Sequence, residues 1–375
     1  VLKLPRILHA FKAYYPSKGG VERLMYTLAI GHRKKFNSEV LVCKQGIRSV
    51  SEQLDGVQVQ RVGTIGQLLS MPIALAYPIK FWRRARSVAI VVYHYPFPLV
   101  DLAVSLFFPK KTKLVILWHS EIVAQKKVAK WLKPLFKACL KRADKIIVSC
   151  EQMVEFSPQL ANYVQKCESI PFGLDLSHYE VLSSVEQQTI ASIQNRYGKF
   201  ILAVGRLVSY KGFEVLIAAM REIDAHLVII GKGPRYDDLN ALIINYGLRE
   251  KISILDHVDD AQLKCYYHAC SVFAFPSITE NEAFGLVQLE AMACAKPIVN
   301  THLKSAVPWV ARDGQEAITV EPRNVQQLAK ALSELLHDEK LAYEMGQRGL
   351  ARVKKTFNVE QMLAKTQRLF YQLLE

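Results

Sequence analysis

A chain of 375 residues, half of them hydrophobic, is too long for one ordinary core and too apolar to be disordered, so it reads as two globular domains. Its net charge of +15 is one-sided: residues 1–170 hold 27 Lys and Arg against 10 Asp and Glu, while the remainder holds 22 against 24. No apolar run approaches the roughly 20 residues that span a bilayer, and the first residues lack the apolar stretch and small-residue end of a signal peptide. The seven cysteines are odd in number and show no C-x-x-C spacing. They read as reduced thiols of a cytosolic protein, neither a disulfide framework nor a zinc site.

In chain order, short β-branched runs at Arg6–Phe11, Glu39–Cys43, Ala89–Tyr93, Lys113–Trp118 and Lys145–Ser149 predict buried parallel strands. Helix-length segments such as Val21–Lys35 and Val128–Arg142 lie between them. Ser177 to Gly198 is polar without a clear period and reads as a linker. The pattern restarts at Phe200–Val204, His226–Ile230, Ile252–Leu255, Val272–Phe275 and Pro297–Val299. The fold class is therefore α/β: two Rossmann-like domains facing a cleft, with ligands expected outside the carboxyl ends of the strands.

Glu282-Ala-Phe-Gly-Leu-Val-Gln-Leu-Glu290 is the most informative stretch. A helix opening near Phe284 and Gly285 places Glu290 about 7 Å along its axis and leaves Glu282 on the loop in front. Free amides at the helix tip suit phosphate, and a carboxylate further along suits a ribose diol. Alone, the spacing more often marks a solvated loop acid followed by an amphipathic helix with one exposed Glu. Arg206 and Lys211 bracket the turn after Phe200–Val204, where two cations suit a diphosphate. Gly231-Lys-Gly-Pro-Arg-Tyr lacks the third glycine of a dinucleotide fingerprint, and Asp237-Asp238 would repel a pyrophosphate, which argues against a nicotinamide enzyme. No D-x-D triplet occurs.

The Glu282–Glu290 segment, continuing Ala-Met-Ala-Cys-Ala-Lys-Pro, resembles the signature of the retaining glycosyltransferases of family 4. The resemblance takes in Gly19-Gly20, His119, Ile170-Pro-Phe-Gly173, Gly205-Arg-Leu with Lys211-Gly212, and Gly231-Lys-Gly-Pro234, in the family's order. It implies the GT-B fold. An acceptor domain over 1–175 is joined by a returning C-terminal helix at about 358–375, and a nucleotide-sugar domain covers 198–357. It implies His119 and Glu282 as catalytic residues, with Glu282 orienting sugar hydroxyls. Gly19, Gly20, Arg206, Lys211, Gly231, Phe284, Gly285, Leu286 and Glu290 bind the donor, a nucleotide diphosphate-sugar. No cofactor or metal is implied. Three departures stand out: Ala295 where the family usually has Gly, Lys304–Trp309 in place of a glycine pair with Pro-Glu, and Glu316-Ala317 in place of a Gly.

Lys126, Lys130, Lys133, Lys137 and Lys141 form one stripe at helical spacing. It suits an anionic membrane surface or, equally, a solvated basic face. Leu68–Arg86 is a second candidate for the membrane. The expected activity is hexosyl transfer from a nucleotide diphosphate-sugar to a lipid-linked saccharide, at the inner face of a bacterial cytoplasmic membrane. The segment around His119 looks like bacterial O-antigen and capsule members of the family. GDP-mannose is the preferred donor, with UDP-glucose, UDP-galactose and UDP-N-acetylglucosamine as alternatives. A nucleotide-sugar epimerase on the same fold is a further rival. A nucleic-acid partner is not expected, since the basic half reads as a folded sheet without an aromatic-basic motif.

Overall fold

The computed structural model describes residues 4–17, 19–68, 71–120, 126–256 and 258–375, leaving aside the side chains of 126–131. The chain divides into two compact units, Val1–Phe172 with Glu360–Glu375, and Gly173–Val359.

The first unit contains β1 (Arg6–Ala10), β2 (Asn37–Gln45), β3 (Val50–Leu54), β4 (Val57–Thr64), the hairpin strands β5 (Gly66–Leu68) and β6 (Met71–Ile73), β7 (Ile90–Tyr95), β8 (Lys113–Trp118), β9 (Lys145–Val148) and β10 (Cys167–Ser169). Eight of them form one sheet in the order β10-β9-β8-β7-β1-β2-β4-β3, parallel except for β3. All six residues of β7 are buried, as helices on both faces demand of a central strand. At the far edge β3 is almost wholly exposed and carries Ser51, Glu52 and Gln53, a polar edge that discourages pairing with another chain. The C-terminal helix Val359–Leu374 contributes residues 360–374 to this unit. Its Leu363 carbonyl accepts from His32 Nε2 at 3.2 Å, if that nitrogen carries the proton, and Phe370 packs edge-on against Phe36 and His32.

The second unit has six parallel strands: β11 (Phe200–Val204), β12 (His226–Ile230), β13 (Ile252–Leu255), β14 (Val272–Ala274), β15 (Ile298–Thr301) and β16 (Ala317–Val320), ordered β13-β12-β11-β14-β15-β16. This is the doubly wound order, in which the chain reverses direction across the sheet between its first and fourth strands. Such a reversal leaves a crevice at the strands' carboxyl ends, here those of β11 and β14. Leu216, Ile217, Leu328, Leu332 and Leu335, from the helices Phe213–Ala219 and Val325–His337, share one core cluster with Ile201, Ile229 and Val272. The segment expected as a linker is not one. Residues 184–197 form a helix inside the second unit, started by a capping box between Ser183 and Glu186. Its mostly exposed surface concealed the period.

All seven cysteines are free, and six are buried. Among the described residues no helix is long and apolar enough to cross a membrane.

Candidate functional site

At the end of β11 the backbone turns through Gly205 at φ +157° and reaches a short turn, Ser209–Lys211, closed by Gly212 at φ +68°. A Cβ on Gly231, which follows β12, would collide with the Gly205 carbonyl oxygen. Glycine at 231 is therefore required for the two loops to pass, whatever else it does. Arg206 is exposed and Lys211 is buried.

The loop after β14 carries Glu282 back onto Lys211. Lys211 Nζ lies 2.5 Å from Glu282 Oε2, with each side chain 11% exposed, and Ser277 donates to the same oxygen at 3.1 Å. The ammonium also sits 4.9 Å from the centre of the Phe275 ring. Two residues separated by 71 positions thus make one nearly dry ion pair at the strand reversal, where a ligand group of either charge can exchange with one partner.

The helix Leu286–Ala293 starts at Gly285, which has φ +80°; an added Cβ there would lie 2.6 Å from Phe275 Cζ. The expected opening near Phe284 and Gly285 therefore falls at Leu286. Phe284 itself is buried, its ring packed edge-on against Phe357. Glu290 is buried inside the helix and accepts from the Tyr267 hydroxyl at 2.7 Å. Burial and the Glu290 charge hold the Tyr267 phenol well above its ordinary pKa, so it remains a donor. Gln288 donates to the carbonyls of Phe284 at 3.3 Å and Val307 at 3.4 Å. Its carbonyl accepts from Asn300 at 3.0 Å, and Asn300 in turn accepts from Thr319 at 2.7 Å. This buried chain ties the helix start to β15 and β16.

The three departures from the family pattern have structural readings. Ala295 adopts φ +54°, the left-handed region that favours glycine. The Lys304–Trp309 stretch packs on the loop before the helix, with Ala306 N–H donating to the Ala283 carbonyl at 2.9 Å. Glu316 is buried and held by Arg312 through contacts of 2.6 and 3.1 Å.

In the first unit Gly19 is the N-cap of the helix Gly20–Gly31, in extended conformation, with Glu22 in the first turn. His119 follows β8, 8% exposed, between the rings of Phe11 and Phe172. Burial pulls its pKa down to about 3, so it is neutral at ordinary pH. His94 Nδ1 lies 3.1 Å from His119 Nε2, and His9 Nδ1 lies 3.3 Å from His94 Nε2. Lys133 and Lys137 are exposed on the helix Lys126–Arg142, whose Phe136 and Cys139 are buried. The side chains of Lys126 and Lys130 lie outside the described residues.

Sequence reasoning missed Tyr267, Ser277, His9 and His94. The visible signal for the two histidines was a histidine set among apolar and aromatic residues at 7–10 and again at 90–95. Tyr267 gave none, because its partner lies 23 residues on, and Ser277, five residues before Glu282, sits in a loop whose path no period marks.

Residues 18–178 match the model described as Glycosyltransferase Family 4, and residues 186–352 match Glycosyl transferases group 1. The chain is 27% identical to O-antigen chain mannosyltransferase C of Escherichia coli, over 99% of both proteins. It is 28% identical to D-rhamnosyltransferase WbpZ of Pseudomonas aeruginosa, over 94% of this chain and 92% of that protein. The sucrose-phosphate synthase structure from Thermosynechococcus elongatus superposes with a TM-score of 0.82 at 21% identity, over 99% of both chains. With a family model on each half and this strand order, the chain belongs to glycosyltransferase family 4 and has the GT-B fold of two Rossmann-like halves.

Proposed function

We propose that the protein is a retaining, metal-independent hexosyltransferase. It moves a sugar, mannose from GDP-mannose in the first instance, to a lipid-linked saccharide during bacterial surface polysaccharide synthesis. The observation that carries the reading is the Lys211–Glu282 pair at the strand reversal, beside a helix that bears the buried Glu290. The full-length similarity to an O-antigen mannosyltransferase supports the donor and the pathway class.

In this reading Arg206 and Lys211 neutralise the donor diphosphate, and the amides around Gly285 and Leu286 meet its oxygens. Glu290 receives the ribose hydroxyls, and Gly231 lies beside the base. Glu282 and His119 hold the sugar, and Gly19-Gly20 lets the backbone approach it. The bond from the anomeric carbon to the phosphate oxygen breaks as the acceptor oxygen attacks the same face. The acceptor proton passes to the departing phosphate oxygen, and the nucleoside diphosphate leaves with both electrons of the broken bond. The basic first unit, with Lys126, Lys130, Lys133 and Lys137, meets the anionic inner face of the cytoplasmic membrane, where a lipid-linked acceptor is anchored.

The test is calorimetric titration of metal-free protein with GDP, UDP, GDP-mannose and UDP-glucose, then analysis of the product anomer. Binding of the guanine pair and an α-linked product are expected. Binding of the uracil pair alone would replace the donor by a UDP-sugar, and a β-linked product would refute retention.

A further inference from the structure

We propose that His94 and His9 are positioning residues that preset the tautomer of His119, so that His119 offers Nδ1–H to the donor sugar. This rests on the reading above in which His119 meets that sugar.

The three histidines come from adjacent strands. His9 is opposite Val92 in the β1–β7 register, and His94 is opposite Leu117 in the β7–β8 register. Each step to the next histidine therefore advances two residues, which keeps all three side chains on one face of the sheet while climbing toward its carboxyl end. The rings form a chain rather than converging. Their links are Nδ1 to Nε2 at 3.3 and 3.1 Å, and among the described residues no three His, Cys, Asp or Glu side chains are grouped to hold a metal ion.

A neutral imidazole has one N–H and one bare nitrogen. Burial drives all three pKa values down, so all three rings are neutral. Only two proton arrangements then satisfy both links. In one, protons point from His119 toward His9, and His9 Nε2 carries a hydrogen. In the other they point from His9 toward His119, and His9 Nε2 is bare. Among the described residues that nitrogen is buried without a partner. An orphaned buried N–H is rarer than an unmatched acceptor, which selects the second arrangement. His9 Nδ1–H then donates to His94 Nε2, His94 Nδ1–H donates to His119 Nε2, and the one hydrogen of His119 is left on Nδ1. The sugar hydroxyl oxygen that meets it acts as acceptor, with no tautomer exchange needed on binding.

The experiment is nitrogen NMR of the free full-length protein labelled at histidine, for wild type, His94→Asn and His94→Leu. Asn has an amide N–H near the position of Nδ1 and can replace the donor; Leu cannot. Wild type and His94→Asn should show His119 protonated at Nδ1 and bare at Nε2, while His94→Leu should show a mixture. In His94→Leu, kcat should fall by about twofold to tenfold, as the competent fraction falls, and His94→Asn should restore it. A proton on Nε2 in wild type, or an identical His119 spectrum in His94→Leu, overturns the proposal. Should His94→Leu fail to fold, the wild-type spectrum alone decides. The spectra need no donor, so they stand apart from the sugar-facing role, which full activity in His119→Ala would remove.

Discussion

Removing Glu282 should do two separable things. Glu282→Ala deletes the carboxylate 2.5 Å from Lys211 Nζ and leaves an ammonium that is 11% exposed without its counter-charge. Breaking such a buried pair costs about 3–5 kcal/mol. The Phe275 ring 4.9 Å away remains and offsets about 1 kcal/mol of that. The expected net loss of about 3 kcal/mol in a unit of this size lowers its melting temperature by about 6–12 °C. A nucleoside diphosphate then brings a new anion to Lys211. The variant should therefore gain more from saturating nucleotide than wild type, whose gain at a hundredfold excess over Kd is about 2.7 kcal/mol. Calorimetric melts with and without nucleotide, together with transfer assays, make the check. Transfer should be abolished while nucleotide still binds. A variant that melts like wild type refutes the energetic argument, and wild-type turnover removes Glu282 from the chemistry.

Asp101, fully buried with Tyr93 donating to it at 2.8 Å, has its pKa raised by burial from 3.8 to about 7. A raised folded-state value means stability that is fully present below the ordinary carboxylate range and lost as pH rises through about 7, up to about 4 kcal/mol. Asp101→Asn should flatten the fall in melting temperature between about pH 4 and about pH 8; parallel curves for the two proteins would contradict this. Ala295→Gly should raise stability by about 0.5–1 kcal/mol, because φ +54° strains a residue with a Cβ, and a lowered melting temperature would count against that strain. Replacing Lys126, Lys130, Lys133 and Lys137 by Ser should release the protein from anionic vesicles, and unchanged co-sedimentation would sink the membrane reading.

The central strands were legible because parallel strands covered on both faces are continuous apolar runs: β7 and β11 are buried at every position. The helix behind Glu290 was legible because a glycine precedes a run of helix formers. The outer strands were not. β3 and β4 carry Glu52, Gln58, Gln60 and Arg61, so they look like loop until their pairing supplies the partners. The helix Ser184–Tyr197 buries only Ile193 and Tyr197 fully, too few to show a period, although its capping box stood in plain sight at Ser183 and Glu186. At the site, the charged pair was visible as two residues but not as a bond. Lys211 and Glu282 meet only because β11 and β14 are neighbours, a fact of topology. The same holds for Tyr267 against Glu290 and for the histidine chain.

The amide chain from Gln288 through Asn300 to Thr319 fixes more than position. Rotating or sliding the helix Leu286–Ala293 by one residue would take Gln288 from Asn300 and from the Val307 carbonyl and strand its amide in the interior, so the helix is keyed like a spindle in a slot. A catalyst built this way cannot retune its sugar preference by adjusting the helix. Adaptation is channelled into the loop residues that neither the key nor the Lys211–Glu282 pair holds, 207–210 and 278–281. Combinatorial libraries aimed at a new donor belong there, with the keyed triplet kept intact.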